Sequence, residues 1–250
     1  MSLSDAQLDR YARQIVLREL GGEGQQKLLK SSIVVIGAGG IGSPAIQYLA
    51  AAGVGKLRIV DDDRVDLSNL QRQTLYGTGE VGQLKAGVAQ GKVEALNSDV
   101  AVDFSPRRIN GTNARSLIEG AAVVLDGSDN FDTRLAVADA ALAARVPLVS
   151  ASVAQFEGQL AVYRGWEPDK PCYRCFVGSD PDRPEASCSE QGVLGPAAGV
   201  MGSLAAMEVI RALTGFGEDS AGKLLLMDGL GLRFRTVKLP KDPECPACKP

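Results

Sequence analysis

The chain has 250 residues, of which 45% are hydrophobic and 23% charged, with a formal net charge of −3. This composition predicts a globular protein of one large α/β domain or two small ones. We expect that no stretch is apolar for long enough to span a bilayer, and the net charge and the polar N-terminus argue against nucleic-acid and secretory roles, so we expect a cytoplasmic location. Histidine is absent, which excludes imidazole acid–base catalysis and the serine and cysteine nucleophiles that depend on it.

The first 150 residues alternate between predicted helices and strands. Ser4 and Gln7 form the pattern of a capping box, and apolar spacing predicts a helix from there to about Leu20, ended by glycines at 21, 22 and 24. Strands are predicted at 32–36, 57–60, 100–104, 123–125 and 147–150, and helices at 43–52, 83–96 and 133–144. This succession is typical of a Rossmann-like, doubly wound sheet that is mostly parallel.

The pattern changes after Ala151, where the predicted strands alternate like antiparallel ones. They lie at 158–163 and within 223–239, with a helix at 199–213 between them. Residues 178–195 are rich in Pro, Asp, Ser and Gly and predict a mobile loop. We therefore expect a single domain over residues 1–250, in which a nucleotide-binding half, 1–150, is continued by a mixed-sheet half, 151–250.

A glycine-rich loop follows the first predicted strand and opens the next helix. Gly37, Gly39 and Gly42 let the backbone approach a phosphate closely, and the helix N-terminus offers unpaired N–H groups. Asp61 ends the second strand, where an acidic residue binds ribose hydroxyls in such folds. This context predicts nucleotide binding rather than a structural turn, with NAD as the simplest candidate.

Polar residues further along the chain favour a more highly charged nucleotide. A triphosphate carries about four negative charges and requires cations and a divalent ion. Arg72 can fork onto phosphate oxygens and Lys85 can supply a point charge, so we expect a cationic pocket. From spacing alone, solvated surface residues remain the alternative for either one.

Two aspartates flank the end of the strand predicted at 123–125, the edge at which ligands bind in such sheets. A carboxylate there can hold Mg²⁺ while phosphates and water complete the octahedron, or it can form an Asx turn or helix cap ahead of Thr133. The two interpretations are equal for Asp126, and the magnesium interpretation is favoured for Asp129.

Four of the five cysteines form C-x-x-C pairs, Cys172 with Cys175 and Cys245 with Cys248. They predict a closed Cys₄ zinc site that holds the C-terminal segment of the chain against its middle segment and takes no part in catalysis. The rival interpretation is two redox pairs, but neither has a thioredoxin-like setting. Cys188 stands apart in the predicted loop, as either a covalent nucleophile or an inert thiol.

These motifs resemble the MoeB/ThiF family, bacterial relatives of ubiquitin-activating enzymes, and within it MoeB most closely. The matching segments are residues 10–14 (Arg-Tyr-Ala-Arg-Gln), Gly37 with Gly39, Gly40 and Gly42, Asp61, residues 68–73 (Ser-Asn-Leu-Gln-Arg-Gln), 81–85, Asp126 with Asp129 and Asn130, both cysteine pairs and 202–208. The Asn-Leu-Gln-Arg-Gln run together with the paired cysteines is the most specific part of the match.

The resemblance implies an ATP-dependent adenylyltransferase that activates the C-terminal Gly-Gly carboxylate of a ubiquitin-like sulfur-carrier protein for thiocarboxylation. It implies molybdenum cofactor synthesis first, then thiamine synthesis or tRNA thiolation. Because the chain ends at Pro250 without a fused sulfurtransferase domain, we expect a separate sulfur donor, a desulfurase or a rhodanese. The alternatives are an NAD-dependent oxidoreductase, a tRNA-modifying relative of the same fold and a zinc-stapled adaptor with a vestigial nucleotide site.

The resemblance also implies roles for single residues. Gly39 and Asp61 contact adenosine and ribose, and Gly37, Gly40 and Gly42 complete the nucleotide-binding loop. Asn69, Arg72 and Lys85 hold the phosphates, and Asp129 holds Mg²⁺. Arg13 resembles an arginine that family members lend to the ATP of a partner subunit, which implies a homodimer. Cys188 matches a loop cysteine that is used covalently in some relatives and is dispensable in others.

Overall fold

The computed structural model describes residues 3–178 and 192–249, and its first half contains a five-stranded parallel sheet. The strands are β1 (Ser32–Ile36), β2 (Lys56–Val60), β3 (Ala101–Ser105), β4 (Val123–Asp126) and β5 (Leu148–Ala154). They lie in the order β3-β2-β1-β4-β5, and each neighbouring pair is parallel. All five predicted strands are confirmed, and the short runs of Val, Ile and Leu in β1 and β4 suit strands covered on both faces.

Three antiparallel strands continue the same sheet in the second half. β6 (Glu157–Tyr163), β7 (Lys223–Asp228) and β8 (Arg233–Lys238) follow β5 in order, which gives one sheet of eight strands. The predicted fold class, a doubly wound sheet extended by antiparallel strands, is confirmed. The division into a nucleotide-binding half and a carrier-binding half stays a prediction.

Helices pack on both faces of this sheet. In the described residues they are α1 (Asp5–Ile15), α2 (Gly21–Lys30), α3 (Gly42–Ala51), α4 (Lys85–Leu96), α5 (Ala114–Leu117), α6 (Phe131–Ala144), α7 (Tyr173–Val177) and α8 (Gly195–Thr214). Along β1, Ile33 and Val35 belong to one apolar cluster, whereas Val34 and Ile36 belong to the other. This alternation places one core layer on each side of the sheet.

The N-terminal helix is shorter than its sequence predicts. Ser4 caps α1 as expected, since its hydroxyl accepts a hydrogen bond from the Gln7 backbone N–H. The helix ends at Ile15, however, and the glycines at 21, 22 and 24 lie in α2 instead of ending α1. Tertiary packing overrides their low helix propensity, because Gln25 and Leu28 of α2 are completely buried.

Helix α8 is long and apolar enough, by length and composition, to cross a membrane, with a mean hydropathy of 1.3 over its apolar window. The expectation that no stretch of the chain meets this test is therefore wrong. The helix packs against α3 and the sheet, and its Met201, Ala205 and Val209 lie in the core. Gly202 permits this packing, because a Cβ there would lie 2.3 Å from the Ile41 carbonyl oxygen.

The strand order reverses between β1 and β4, the point at which doubly wound sheets leave a crevice at their carboxyl ends. Ile36 at the end of β1 lies beside Asp126 at the end of β4. The connections that follow these two strands diverge towards α3 and α6, on opposite sides of the sheet. Their separation opens the crevice that holds the candidate site.

Candidate active site and cysteine cluster

A cleft of about 490 Å³ occupies this crevice. It is lined by eight of the nine residues predicted to bind the nucleotide or its ion: Gly37, Gly39, Gly40, Asp61, Asn69, Arg72, Lys85 and Asp129. Five basic side chains (Arg72, Lys85, Arg107, Arg108 and Arg134) and five acidic ones (Asp61, Asp62, Asp63, Asp129 and Glu157) lie among its described lining residues. The described lining is therefore balanced in charge rather than cationic, so an anionic ligand there needs an additional cation.

The glycine loop is held rigidly at the mouth of the cleft. Gly37 adopts a φ of +84°, and a Cβ on Gly42 would lie 1.9 Å from the Gly37 carbonyl oxygen, so both positions require glycine. The Ala38 N–H donates to Asp61 Oδ2 at 2.7 Å, and the Tyr76 hydroxyl donates to the Ala38 carbonyl at 2.8 Å. Gly42, at the start of α3, thus packs against the Gly37 carbonyl and is not among the described residues that line the cleft.

Asp61 binds protein backbone as well as facing the cleft. Its second oxygen accepts a hydrogen bond from the Asp63 N–H at 2.9 Å. Burial raises the pKa of this carboxyl, although Lys85 and the two backbone N–H donors act in the opposite direction. Each oxygen keeps a further lone pair that can accept a hydroxyl, which fits a ribose-binding role.

Asn69, Arg72 and Gln73 form one hydrogen-bonded network on the wall of the cleft. Asn69 Oδ1 accepts from Gln73 Nε2 at 2.7 Å and from Arg72 Nη2 at 3.4 Å. Gln73 is only 3% exposed, and its Oε1 is buried with no hydrogen-bond partner among the described residues. The network pre-orients the guanidinium, because two of its nitrogens donate hydrogen bonds, one to Asn69 Oδ1 and one to the Ser68 carbonyl.

Lys85 is a buried cation rather than a solvated surface residue. It is 4% exposed, begins α4, and its ammonium lies 2.8 Å from Asp63 Oδ2. The Asp63 side chain is itself exposed, so the pair lies at the boundary between protein and cleft. A buried ammonium is costly without a counter-charge, and an anionic ligand can supply a second one.

The two aspartates near β4 have different surroundings. Asp126 is 1% exposed, and its Oδ1 accepts from the Ser128 N–H at 3.0 Å and from the Ser128 hydroxyl at 2.6 Å. Its other oxygen faces Arg134 at 3.7 Å. Asp126 therefore forms an Asx turn, one of its two predicted roles, and it is not among the described residues that line the cleft.

Asp129 is exposed in the cleft and makes no side-chain hydrogen bond to the described residues. The helix cap that it was a candidate for is provided by Asn130, whose Oδ1 accepts from the Thr133 N–H at 2.9 Å. Asp129 is thus left with a free carboxylate at the carboxyl edge of the sheet. An oxygen ligand of this kind suits Mg²⁺.

The four paired cysteines converge at the far end of α6. Their sulfur atoms all lie within 4.8 Å of one another, and three of the pairs are separated by 3.4–3.8 Å. These separations exceed a disulfide bond of about 2.0 Å. Four thiolates about 2.3 Å from a zinc ion have sulfur–sulfur edges of about 3.8 Å, so the donor set and spacing fit tetrahedral zinc.

The cluster is buried as a structural zinc site requires. Cys172 and Cys245 are buried and pack against Leu142 of α6. Burial raises the pKa of the Cys172 thiol, so a thiolate at this position needs a cation beside it. A redox role for the two pairs separately is not supported, since both pairs form one cluster.

Comparisons with known proteins agree with this geometry. The model of the ThiF family matches residues 11–247. The chain belongs to the ThiF family. It is 45% identical to the sulfur carrier protein adenylyltransferase of Thermus thermophilus, covering 99% of this chain and 93% of that protein. It is 43% identical to the sulfur carrier protein ThiS adenylyltransferase of Escherichia coli K12, covering 98% and 97%.

Two further similarities place this ThiF-family chain in context. It is 44% identical to the mouse adenylyltransferase and sulfurtransferase MOCS3, covering 99% of this chain but only 54% of that protein. Among solved structures, E. coli MccB superposes with a TM-score of 0.84 at 23% identity, covering 96% of this chain and 74% of that one. The superposition supports the fold alone.

Two residues predicted for the site lie elsewhere. Arg13 is exposed on α1 and does not line the cleft of its own chain. Its assignment to a partner subunit therefore stays a prediction. Cys188 and most of the loop predicted at 178–195 lie outside the described residues.

Sequence reasoning missed three arginines of this ThiF-family cleft. Arg134, in the first turn of α6, donates to the Ser128 carbonyl, to the Ala151 carbonyl at 3.0 Å and to the Ser150 hydroxyl at 3.3 Å. Arg107 and Arg108 reach the cleft from the segment after β3. Their position after a strand's carboxyl end was the available signal, since ligand-binding side chains gather at that edge.

Proposed function

We propose that this chain is an adenylyltransferase that uses ATP to activate the C-terminal carboxylate of a ubiquitin-like sulfur-carrier protein. The single observation that carries the proposal is the identity of 43–45% over nearly full length to proteins named sulfur carrier protein adenylyltransferases. The cleft supports it, because a glycine loop, a ribose-binding carboxylate and pre-oriented cations lie together. The SAMP-activating enzyme E1 of Haloferax volcanii, at 44% identity, points the same way.

The residues of the cleft divide into those that bind the nucleoside and those that meet the phosphates. Asp61 accepts the ribose hydroxyls beside the glycine loop, whose N–H groups face the phosphates. Arg72 forks onto phosphate oxygens, and Lys85 adds a point charge from a site of low dielectric constant. Asp129 holds Mg²⁺, which supplies charge neutralisation at the phosphates.

The reaction needs no general base. A C-terminal carboxylate with a pKa of about 3.5 is ionised at neutral pH and is already a nucleophile. The obstacle is repulsion between this carboxylate and the α-phosphate that it attacks, with pyrophosphate as the leaving group. Arg72 and Lys85 reduce the repulsion and align the reactants, so an enzyme without histidine can perform this chemistry.

The choice of carrier is a finer part of the proposal. We favour a molybdopterin-synthase type of carrier, with a thiamine-pathway carrier as the alternative because of the similarity to a ThiS adenylyltransferase. The chain spans about half of the length of mouse MOCS3. The sulfur donor that we propose is a separate protein, a desulfurase or a rhodanese. The cysteine cluster holds structural zinc, and the location is cytoplasmic.

The test is ATP–pyrophosphate exchange with purified candidate carriers. We expect exchange with a carrier that ends in Gly-Gly and none with the same carrier lacking those two residues, since the carboxylate must reach the α-phosphate. Mass spectrometry of the carrier should show the added AMP. No exchange with any Gly-Gly carrier of the same genome, together with tight NADH binding, would support an oxidoreductase instead.

The proposal includes a homodimer in which Arg13 completes the partner's site. An Arg13→Ala protein and an Asp129→Asn protein should each be inactive when pure. When the two are mixed, about a quarter of wild-type activity should return, because half of the dimers are hybrids and each hybrid has one intact site. Exchange assays on the mixture measure this, and hybrids purified through two different tags should show about half of the wild-type activity. If Arg13 acts within its own chain, the mixture stays inactive.

A further inference from the structure

The cysteine cluster and the magnesium-binding aspartate lie at opposite ends of one helix. Helix α6 has 14 residues and is about 21 Å long. Its first turn is adjoined by Asp129, and its last turn carries Leu142, which packs against the cysteines. The helix is therefore the physical connection between the two sites.

The position of Asp129 is set by the first turn of α6 on both sides. Asn130, the next residue, caps the helix through the Thr133 N–H at 2.9 Å. Ser128, the preceding residue, is held by a hydrogen bond from Arg134 to its carbonyl oxygen. Because Asp129 itself makes no side-chain hydrogen bond to the described residues, a shift of this turn moves its carboxylate directly.

The segment between Cys172 and Cys175, the first cysteine pair, contacts the same helix at two points. Arg174 donates to both carboxylate oxygens of Asp139 at 2.7 Å, a bidentate ion pair in the middle of α6. The ring of Tyr173 lies 6.4 Å from that of Phe131, the first residue of α6 and two residues from Asp129. Tyr173 and Arg174 both lie between Cys172 and Cys175. A metal bound by these cysteines therefore fixes the segment that contacts the helix.

We propose that Arg174 and Tyr173 are positioning residues for Asp129, through which the metal-loaded cysteine cluster sets the affinity of the cleft for Mg²⁺. This inference rests on the proposed function, in which Asp129 binds Mg²⁺. The cluster then contributes to catalysis at a distance, although its closed set of four ligands binds no substrate. The coupling element is α6, a rigid helix that both sites bias.

Two variants break the ion pair from opposite sides without touching a cysteine. Arg174→Ala removes the guanidinium from the segment between the first two cysteines, and Asp139→Asn removes the negative charge of its partner on α6. Arg211→Ala is the matched control. The exposed fraction of the Arg211 side chain, 22%, is close to the 19% of Arg174, and Arg211 pairs with Glu208 on α8, away from α6. Zinc content and thermal unfolding are measured for all three.

The primary measurement is the Mg²⁺ dependence of ATP binding, followed by calorimetry. For Arg174→Ala and Asp139→Asn we expect the Mg²⁺ concentration at half-saturation to rise about five- to tenfold, with zinc retained and ATP binding without Mg²⁺ unchanged. Arg211→Ala should match the wild type. In an Asp129→Asn background, Arg174→Ala should have no further effect on the Mg²⁺ dependence, because the coupling acts through that carboxylate.

Amide hydrogen exchange over residues 127–131 provides a readout that does not depend on the enzymatic activity. We expect faster amide exchange in Arg174→Ala, in Asp139→Asn and in wild-type protein from which zinc has been removed. Unchanged exchange and an unchanged Mg²⁺ dependence in folded, zinc-containing variants would overturn the inference. If the wild-type protein binds neither Mg²⁺ nor ATP, the proposed function fails. The hydrogen-exchange data still decide whether residues 172–175 position the first turn of α6.

Discussion

Asp129→Asn is expected to lower the rate of carrier adenylation by about a thousandfold, the loss seen when one preorganised group that stabilises transition-state charge is removed. The substitution keeps the shape of the side chain and removes its charge, so the ligand for Mg²⁺ becomes a weak one. The effect is large because the described cleft lining has equal numbers of acidic and basic side chains. Without the divalent ion, two anionic reactants meet in a site with no net positive charge.

The same substitution should leave the fold intact. Asp129 is exposed and makes no side-chain hydrogen bond to the described residues, so we expect the free energy of unfolding to change by less than about 0.5 kcal/mol. Asp132→Asn is the matched control: it is the same chemical change three residues along, on an exposed residue outside the cleft lining. Pyrophosphate exchange at saturating carrier measures both. Equal rates for the two variants would remove Asp129 from the magnesium role.

Most of the sheet could be predicted from sequence because its strands are defined locally. Short apolar runs such as β1 and β4 are bounded by glycine or polar residues, and a buried strand needs little else. Helix boundaries depend on contacts that are remote in sequence. The glycines near residue 21 fall within α2 because Gln25 of this helix donates to the Ala52 carbonyl at 3.0 Å, a contact that no local pattern reveals.

The candidate site was predictable in its residue types but not in their division of labour. Asp126 and Asp129 are three residues apart, and their difference arises from Ser128 and Arg134, which occupy the oxygens of the first. Lys85 likewise cannot be separated from a surface lysine by spacing, because its burial depends on the packing of α4 against β2 and β3. Sequence indicates which groups reach the edge of a sheet, and tertiary contacts decide which remain free.

Cys245→Ala is expected to abolish zinc binding and to lower the free energy of unfolding by more than about 3 kcal/mol, because structural zinc contributes its binding energy to folding. Cys245 is fully buried, and its sulfur lies 3.6 Å from that of Cys172, 73 residues earlier in the chain. Three remaining thiolates cannot complete the tetrahedron, so the tail after β8 loses its attachment to the middle of the chain. Metal analysis and chemical denaturation measure the two effects.

The matched control is Cys188→Ala, the same substitution at the cysteine that belongs to neither C-x-x-C pair. It should keep about one zinc per chain. Its stability should equal that of the wild type, which shows that the effect belongs to the four-cysteine set rather than to thiol removal in general. Removing zinc from the wild type with a chelator should also destabilise the chain, because it leaves the four clustered thiols without a cation, as the variant leaves three. If the wild type contains no zinc as purified, or if chelation leaves its unfolding unchanged, these cysteines stabilise the chain by packing alone, and the metal assignment is wrong.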